Sequence, residues 1–362
     1  MKKHLSISRL YILPLLVSFF AQGCDQSQSA NIKNSAMVAN DTQAAGAEGK
    51  KTDEPAPVSL QPDSSIKLTP IDTAEYNNKM QALANNDTKG RWPVKGPYPL
   101  PGALLPYNRI VAFYGNLYSK KMGILGELPK DAMLKKLQGE VAKWQAADSS
   151  MPVIPCLHYI AVTAQGSAGR DGKHRLRMPF KQIDTIMSWA KEINGLVFLD
   201  IQVAHSTVNA EVPQLLPYLQ LPNVHLGIDP EFSLKNGEVP GSRIGSFSDT
   251  DINFTIDYLA GLVKKYNLPP KVLVIHRFTQ GMITNYDKIK KTAEVQVVID
   301  MDGWGSKILK RSTWDRYIYR EPVQFTGFKL FYKNDIRKKG WSMYSPEELL
   351  KFTPKPIYIQ YQ

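Results

Sequence analysis

The stretch Val224–Phe232, VHLGIDPEF, begins as a strand fit for a core and ends in two carboxylates, Asp229 and Glu231, astride a proline. An apolar run that turns acidic only at its end is the pattern of a parallel strand buried on both faces whose C-terminal tip opens on a cleft. Seven other runs have the same character: RIVAFYGN (109–116), MPVIPCLHYI (151–160), LVFLDIQ (196–202), KVLVIHRF (271–278), VQVVIDMD (295–302), GFKLFY (327–332) and PIYIQY (356–361). Helical patterns separate them. Residues 130–147 place Leu134, Leu137, Val141 and Trp144 on one face, and Pro179 opens a helix that repeats Ile183, Ile186, Met187, Ala190 and Ile193 before Asn194-Gly195. A weaker helix is expected near 214–219 and further helices near 281–292 and 306–319, and Ser248 is an expected N-cap for Ile252, Ile256, Leu259 and Val263. Ser345, Pro346 and Glu348 form a capping-box start. Eight strands alternating with helices predict an α/β fold, a single (β/α)8 TIM-type barrel over residues 109–362. The rival is a doubly wound open sheet, but FYGNLYSKKMGILGE after the first strand lacks GxGxxG.

The N-terminus gives an address. Lys2, Lys3 and Arg9 precede the apolar run YILPLLVSFFAQG, which ends in small residues before Cys24 and is too short to span a bilayer. Residues 1–24 are therefore expected to be an export signal. AQGC resembles the lipobox of bacterial lipoproteins, which implies lipidation of Cys24 and attachment to a membrane facing outside the cytoplasm, in the periplasm or at the cell surface. Without lipidation the chain would be secreted. Cys156 is then alone in an apolar run, with no disulfide partner, and is expected to be a small buried hydrophobe. Residues 25–75, rich in Ser, Gln, Asn, Ala, Asp and Pro, read as a disordered tether with a reach of roughly 35–40 Å. Residues 76–108 are expected to be an N-terminal extension packing on the barrel.

Charge is unevenly divided. Of the total +12, the signal holds +3 and residues 25–75 hold −4, which leaves +13 on residues 76–362. That excess suits a carbohydrate or other anionic envelope polymer, or simply a basic exported protein. An exported address without a recognised binding motif makes nucleic acid an unexpected partner.

The strand ends collect polar groups: Tyr114, His158, Asp200 with Gln202, Asp229 with Glu231, His276 with Arg277, Asp300 with Asp302, Lys329 with Tyr332, and Gln360. Polar tips on nearly every strand are what a sugar pocket requires. Strand alternation would put Asp229 and Glu231 on one face, and Asp300 and Asp302 on another. Glycoside hydrolysis needs one protonated carboxyl and one ionised carboxyl. Glu231 is the expected acid, with Asp302 or Asp200 as its ionised partner. Tyr114, His158, Gln202, Asp229, His276, Asp300, Trp304, Lys329, Tyr332 and Gln360 are expected to line the substrate. Plainer roles compete: Asp300 or Asp302 could organise the turn at GWG, the histidines could be ordinary barrel-mouth groups, and Lys329 could sit in a salt bridge. His158, Asp200, Asp229, His276 and Asp300 are suitable ligand types, but no HxH, HExxH or CxxC spacing is present, so no metal and no other cofactor is assigned.

The ordered segments FYGN, MGILGE, DIQ, GIDPEF, HRFTQGMI, DMDGWG and GFKLFYKND resemble a family of uncharacterised exported bacterial proteins with a glycosidase-like (β/α)8 domain, over residues 109–362. The resemblance implies the barrel and the position of its pocket. Glu231 resembles the acid/base position of the largest glycosidase clan with this fold, but Lys329 stands where that clan has a nucleophilic glutamate, and the chitinase-like DxxDxDxE pattern is absent. The expected function is binding, with or without hydrolysis, of a cell-envelope or extracellular glycan. Alternatives are a non-catalytic glycan-binding or envelope-organising protein, and a metal-dependent hydrolase or deacetylase.

Overall fold

The computed structural model describes residues 70–362; the export signal, Cys24 and residues 25–69 of the expected tether lie outside the described residues. Eight strands run parallel in chain order: β1 (Arg109–Gly115), β2 (Val153–Ala164), β3 (Leu196–Ile201), β4 (Val224–Ile228), β5 (Lys271–Arg277), β6 (Val295–Met301), β7 (Phe325–Leu330) and β8 (Tyr358–Tyr361). The last pairs with the first, from Ile110 opposite Tyr358 to Phe113 opposite Tyr361, which closes a (β/α)8 barrel. A short strand, Arg175–Arg177, lies antiparallel against the far end of β2.

Every residue of β1 and of β3 through β8 is buried, because the strands have side chains packed on both faces. Outside lies a belt of apolar helix faces. It includes Leu134, Leu137 and Trp144 of the helix Lys130–Ala147, Ile183, Ile186 and Ala190 of Phe180–Glu192, and Ile252, Ile256 and Leu259 of Asp249–Tyr266. Ser248 and Asp251 form a capping box that starts the last of these. Among the described residues no helix is long and apolar enough to cross a membrane.

Inside the barrel, Ile110, Ala112, Cys156, Phe198, Val272, Val274, Val298 and Phe325 form an apolar lower half. The N-terminal segment closes it from below. Its helix, Thr73–Ala84, is started by Asp72, whose carboxylate accepts from the Ala74 and Glu75 amides, and buries Tyr76, Met80 and Leu83 against the floor together with Leu105.

Two expected elements differ. Residues 281–292 are not a helix: Ile283–Thr284 pair with Phe247–Ser248 in a small parallel sheet, flanked by 3-10 turns at Gln280–Met282 and Tyr286–Lys288. Met282, Ile283 and Ile289 are buried there, so their spacing reflects packing of an irregular segment and not a helical stripe. The fourth strand also stops earlier than expected, at Ile228, because Asp229 caps a 3-10 turn over Pro230–Phe232.

Candidate functional site

Alternation along the strands puts Tyr114, His158, Asp200, His276, Asp300, Lys329 and Gln360 inside the barrel above its apolar half, all at most 3% exposed. Two glycines make room for them. A Cβ on Gly227 would lie 2.4 Å from both Asp200 Oδ1 and His158 Nε2, and one on Gly327 would lie 2.6 Å from Asp300 Oδ1. A glycine in a strand interior is a sign of such close approach.

The side chains form one network across the lumen. Tyr114 donates its hydroxyl to Asp200 Oδ2 at 2.7 Å. Asp200 Oδ1 stands 3.5 Å from His158 Nε2 and 3.5 Å from His276 Nε2. On its other side His276 Nδ1 faces Asp302 Oδ2 at 3.0 Å and Asp300 Oδ2 at 3.6 Å. Lys329 clamps Asp302 at 2.9 Å and lies 3.9 Å from the Tyr114 ring centre. His158 Nδ1 meets the Tyr358 hydroxyl at 2.5 Å and the Gln360 amide at 3.1 Å. Tyr358 is a member of the network that the strand-end pattern overlooks; its period-two spacing from Gln360 is the signal that puts both on one face.

Burial works to raise every carboxyl here, and neighbours decide the outcome. The His276 and His158 imidazoles outweigh burial at Asp200 and hold it well below the usual carboxylate range. Lys329 and His276 outweigh burial at Asp302 too and lower it below its ordinary value. Burial depresses the His158 imidazole to about 4, whereas at His276 the Asp200 and Asp302 charges overcome burial and raise it well above the usual value. Asp300 and Asp229 are pushed up to about 7, chiefly by burial, with the negative charge of Asp302, and at Asp229 also of Asp200, adding to it.

Glu231 is different again. It sits part-exposed on the turn just past β4, and its carboxyl accepts no hydrogen bond from the described residues. Burial, Asp229 and Asp302 raise it well above the usual carboxylate range. Gly245 holds this turn: its amide donates to the Glu231 carbonyl at 2.6 Å, and a Cβ there would strike the Ser233 and Pro230 carbonyls at 2.4 and 2.6 Å.

Several expected placements are corrected. Asp229 and Glu231 do not share a strand face; Asp229 Oδ1 accepts the Glu231 amide at 3.0 Å as the cap of the turn, and Gln202 approaches its other oxygen at 3.5 Å. Tyr332 is not a pocket residue. The strand ends at Leu330, and beyond it Tyr332 turns outward to bond Glu140, stack on Tyr361 and lie under Lys136. Arg277 also points away, to the Tyr317 and Gln280 carbonyls and Glu321. His158 lies mid-strand rather than at a tip, since β2 extends to Ala164. Trp304 stands beside Arg337, with the guanidinium 6.0 Å from its ring centre. Asp200 is sealed beneath the rim with no exposure, whereas Asp302 keeps 8%.

The three atoms His158 Nε2, Asp200 Oδ1 and His276 Nε2 lie within 4.8 Å of one another, the grouping among the described residues that could hold a metal ion. A cavity of about 180 Å³ lies at the opposite end, lined by Leu104, Leu196, Asn223, His225 and prolines, away from the carboxylates.

No protein-family model matches the chain, and no curated protein sequence matches it. Among solved structures the chain is similar to a cellulase, Cel5C_n, at 12% identity and a TM-score of 0.36, over 65% of this chain and 69% of that one. It is similar to a hyperthermophilic endo-β-1,4-glucanase solved with substrate, at 10% identity and a TM-score of 0.32, over 58% and 77%. ZgEngAGH5_4, solved with a cellotriose, is similar at 10% identity and a TM-score of 0.33, over 63% of this chain and 79% of that one.

Proposed function

We propose that the chain is a lipid-anchored envelope protein whose barrel binds the end of a glycan chain and cleaves it by carboxylate acid/base chemistry. The observation that carries this reading is the pairing, at one barrel mouth, of two carboxyls in opposed surroundings. Glu231 is part-exposed with no hydrogen-bond donor to its carboxyl among the described residues, and Asp302 is clamped by Lys329 at 2.9 Å. Glu231 donates its proton to the glycosidic oxygen as the bond from that oxygen to the sugar carbon breaks, and ionised Asp302 takes a proton from the water that attacks the carbon. Asp200 lies too deep to touch substrate and acts as a positioning group through Tyr114 and His276. The enclosure of Asp229, Asp302 and Lys329, none more than 8% exposed, favours a chain end over an internal stretch of polymer. The +13 charge of residues 76–362 would draw in an anionic envelope polymer.

The test is a mass-spectrometric digest of peptidoglycan and envelope polysaccharides by the full-length chain beside Glu231→Gln. Wild type should release new fragments, and the variant should do so at least about 100-fold more slowly. Equal rates would remove Glu231 from the chemistry. Silence from both, with polymer retained, would replace cleavage by binding alone. Anchoring is checked separately by fatty-acid labelling in cells: label on wild type and none on Cys24→Ser is expected, and an unlabelled wild type would point to secretion.

A further inference from the structure

The structure assigns a binding site for a divalent first-row transition metal ion to His158, Asp200 and His276, independently of the glycan reading. The three side chains come from β2, β3 and β5 and are fully buried. His158 Nε2, Asp200 Oδ1 and His276 Nε2 have no hydrogen-bond partner, although a buried polar atom ordinarily has one. They point at one another. Each nitrogen is 3.5 Å from the oxygen, without the alignment of a hydrogen bond, and all three lie within 4.8 Å. Donors about 2.1 Å from a tetrahedral zinc ion are about 3.4 Å apart, a spacing the two nitrogen–oxygen pairs already have, while the two nitrogens, within 4.8 Å of each other, would draw together around the ion.

Two of the three outer atoms are hydrogen-bonded from behind, as metal ligands usually are, and the third faces a carboxylate. Asp200 Oδ2 accepts from Tyr114 at 2.7 Å, which leaves Oδ1 turned inward. His276 Nδ1 faces Asp302 at 3.0 Å, off the line of an ideal hydrogen bond, in the carboxylate–imidazole–metal arrangement. His158 Nδ1 meets the Tyr358 hydroxyl, which can accept its proton. With the Gln360 amide turned over, its orphaned oxygen would also face that proton. With a bound cation in place of the Nε2 proton of His276, both imidazoles would present an Nε2 lone pair to the centre. Gly227 keeps the space beside it clear, since a Cβ there would stand 2.4 Å from two of the three donor atoms. Two imidazoles and a carboxylate suit zinc and its first-row neighbours better than calcium or magnesium.

The experiment strips the full-length protein with chelator and titrates it with Zn²⁺ by calorimetry, with elemental analysis of the product and Co²⁺ substitution read by visible absorption. One ion per chain is expected, with ligand-field bands for nitrogen and oxygen donors. Asp200→Asn, His158→Gln and Gly227→Ala should each weaken binding at least 100-fold, and His225→Gln, a buried histidine outside the cluster, should leave it unchanged. Near-UV circular dichroism checks each fold. If Gly227→Ala does not fold, Tyr114→Phe, which removes one hydroxyl behind Asp200, should still cost about 10-fold. No binding by wild type of zinc, cobalt, manganese or ferrous ions would leave the three groups as a proton-sharing network and overturn the assignment. Unchanged binding in Asp200→Asn would place the ion elsewhere and overturn it equally.

Discussion

A carboxyl that keeps its proton at a barrel rim costs the fold stability whenever the unfolded chain would ionise it. Glu231 is such a group, raised by burial and by Asp229 and Asp302 from a starting value of 4.5. Below that value folded and unfolded chains both carry the proton and nothing is lost. Above it the unfolded chain releases the proton first, so stability falls as pH rises until the folded pKa is reached. Glu231→Gln removes the titration. Its melting temperature should match wild type near pH 4 and exceed it at pH 8, read by scanning calorimetry at both pH values. A variant less stable than wild type at pH 8 would mean that the carboxylate is ionised and held by a partner. The acids and Lys329 of this site were legible because each stands at or near the end of an apolar strand. Their grouping was not, since His158, Asp200 and His276 come from three strands and no local spacing records that they meet. Tyr332 misled because a polar tip counts as a pocket residue only while the strand alternation lasts, and it lapses at Leu330.

At the scale of elements, the rhythm of apolar runs carried the barrel because a closed parallel sheet buries both faces and leaves near-continuous Val, Ile, Leu and Phe runs as its trace. Boundaries were less legible where a single residue redirects the chain. Pro230 has no amide hydrogen for a strand ladder, and Asp229 accepts the Glu231 amide, so VHLGIDPEF is a strand of five residues followed by a turn. That change matters to function. A strand would fix Glu231 through its ladder, whereas the turn is fixed by Gly245, whose close approach at 2.6 Å is invisible in sequence until the loop folds back. The segment 281–292 shows the converse: its apolar spacing imitates a helix, but pairing of Ile283–Thr284 with Phe247–Ser248 takes the backbone hydrogen bonds another way.

For the whole molecule, the question is where the folding unit begins. The barrel floor has no cover of its own: Tyr76, Met80, Leu83 and Leu105 close it, each contributing roughly 1.5–3 kcal/mol if fully buried. Their sum is comparable to the net stability of an ordinary domain, about 5–15 kcal/mol. Polar bonds cross the same boundary. The Gln296 amide bonds both the Leu105 amide and carbonyl inside the floor, the Leu83 carbonyl accepts from the Lys355 amide, and Trp92 donates to the Tyr319 carbonyl. Removing the segment would therefore uncover apolar surface and leave buried Gln296 without its partners. A chain beginning at residue 70 keeps each of these contacts and is the reference for unfolding in urea. A chain beginning at residue 108 should lose about 5 kcal/mol or more, or fail to fold, with apolar dye binding reporting the open floor. An unchanged midpoint for the shorter chain would show that the eight strands and their helices suffice and that the N-terminal segment only rests on them.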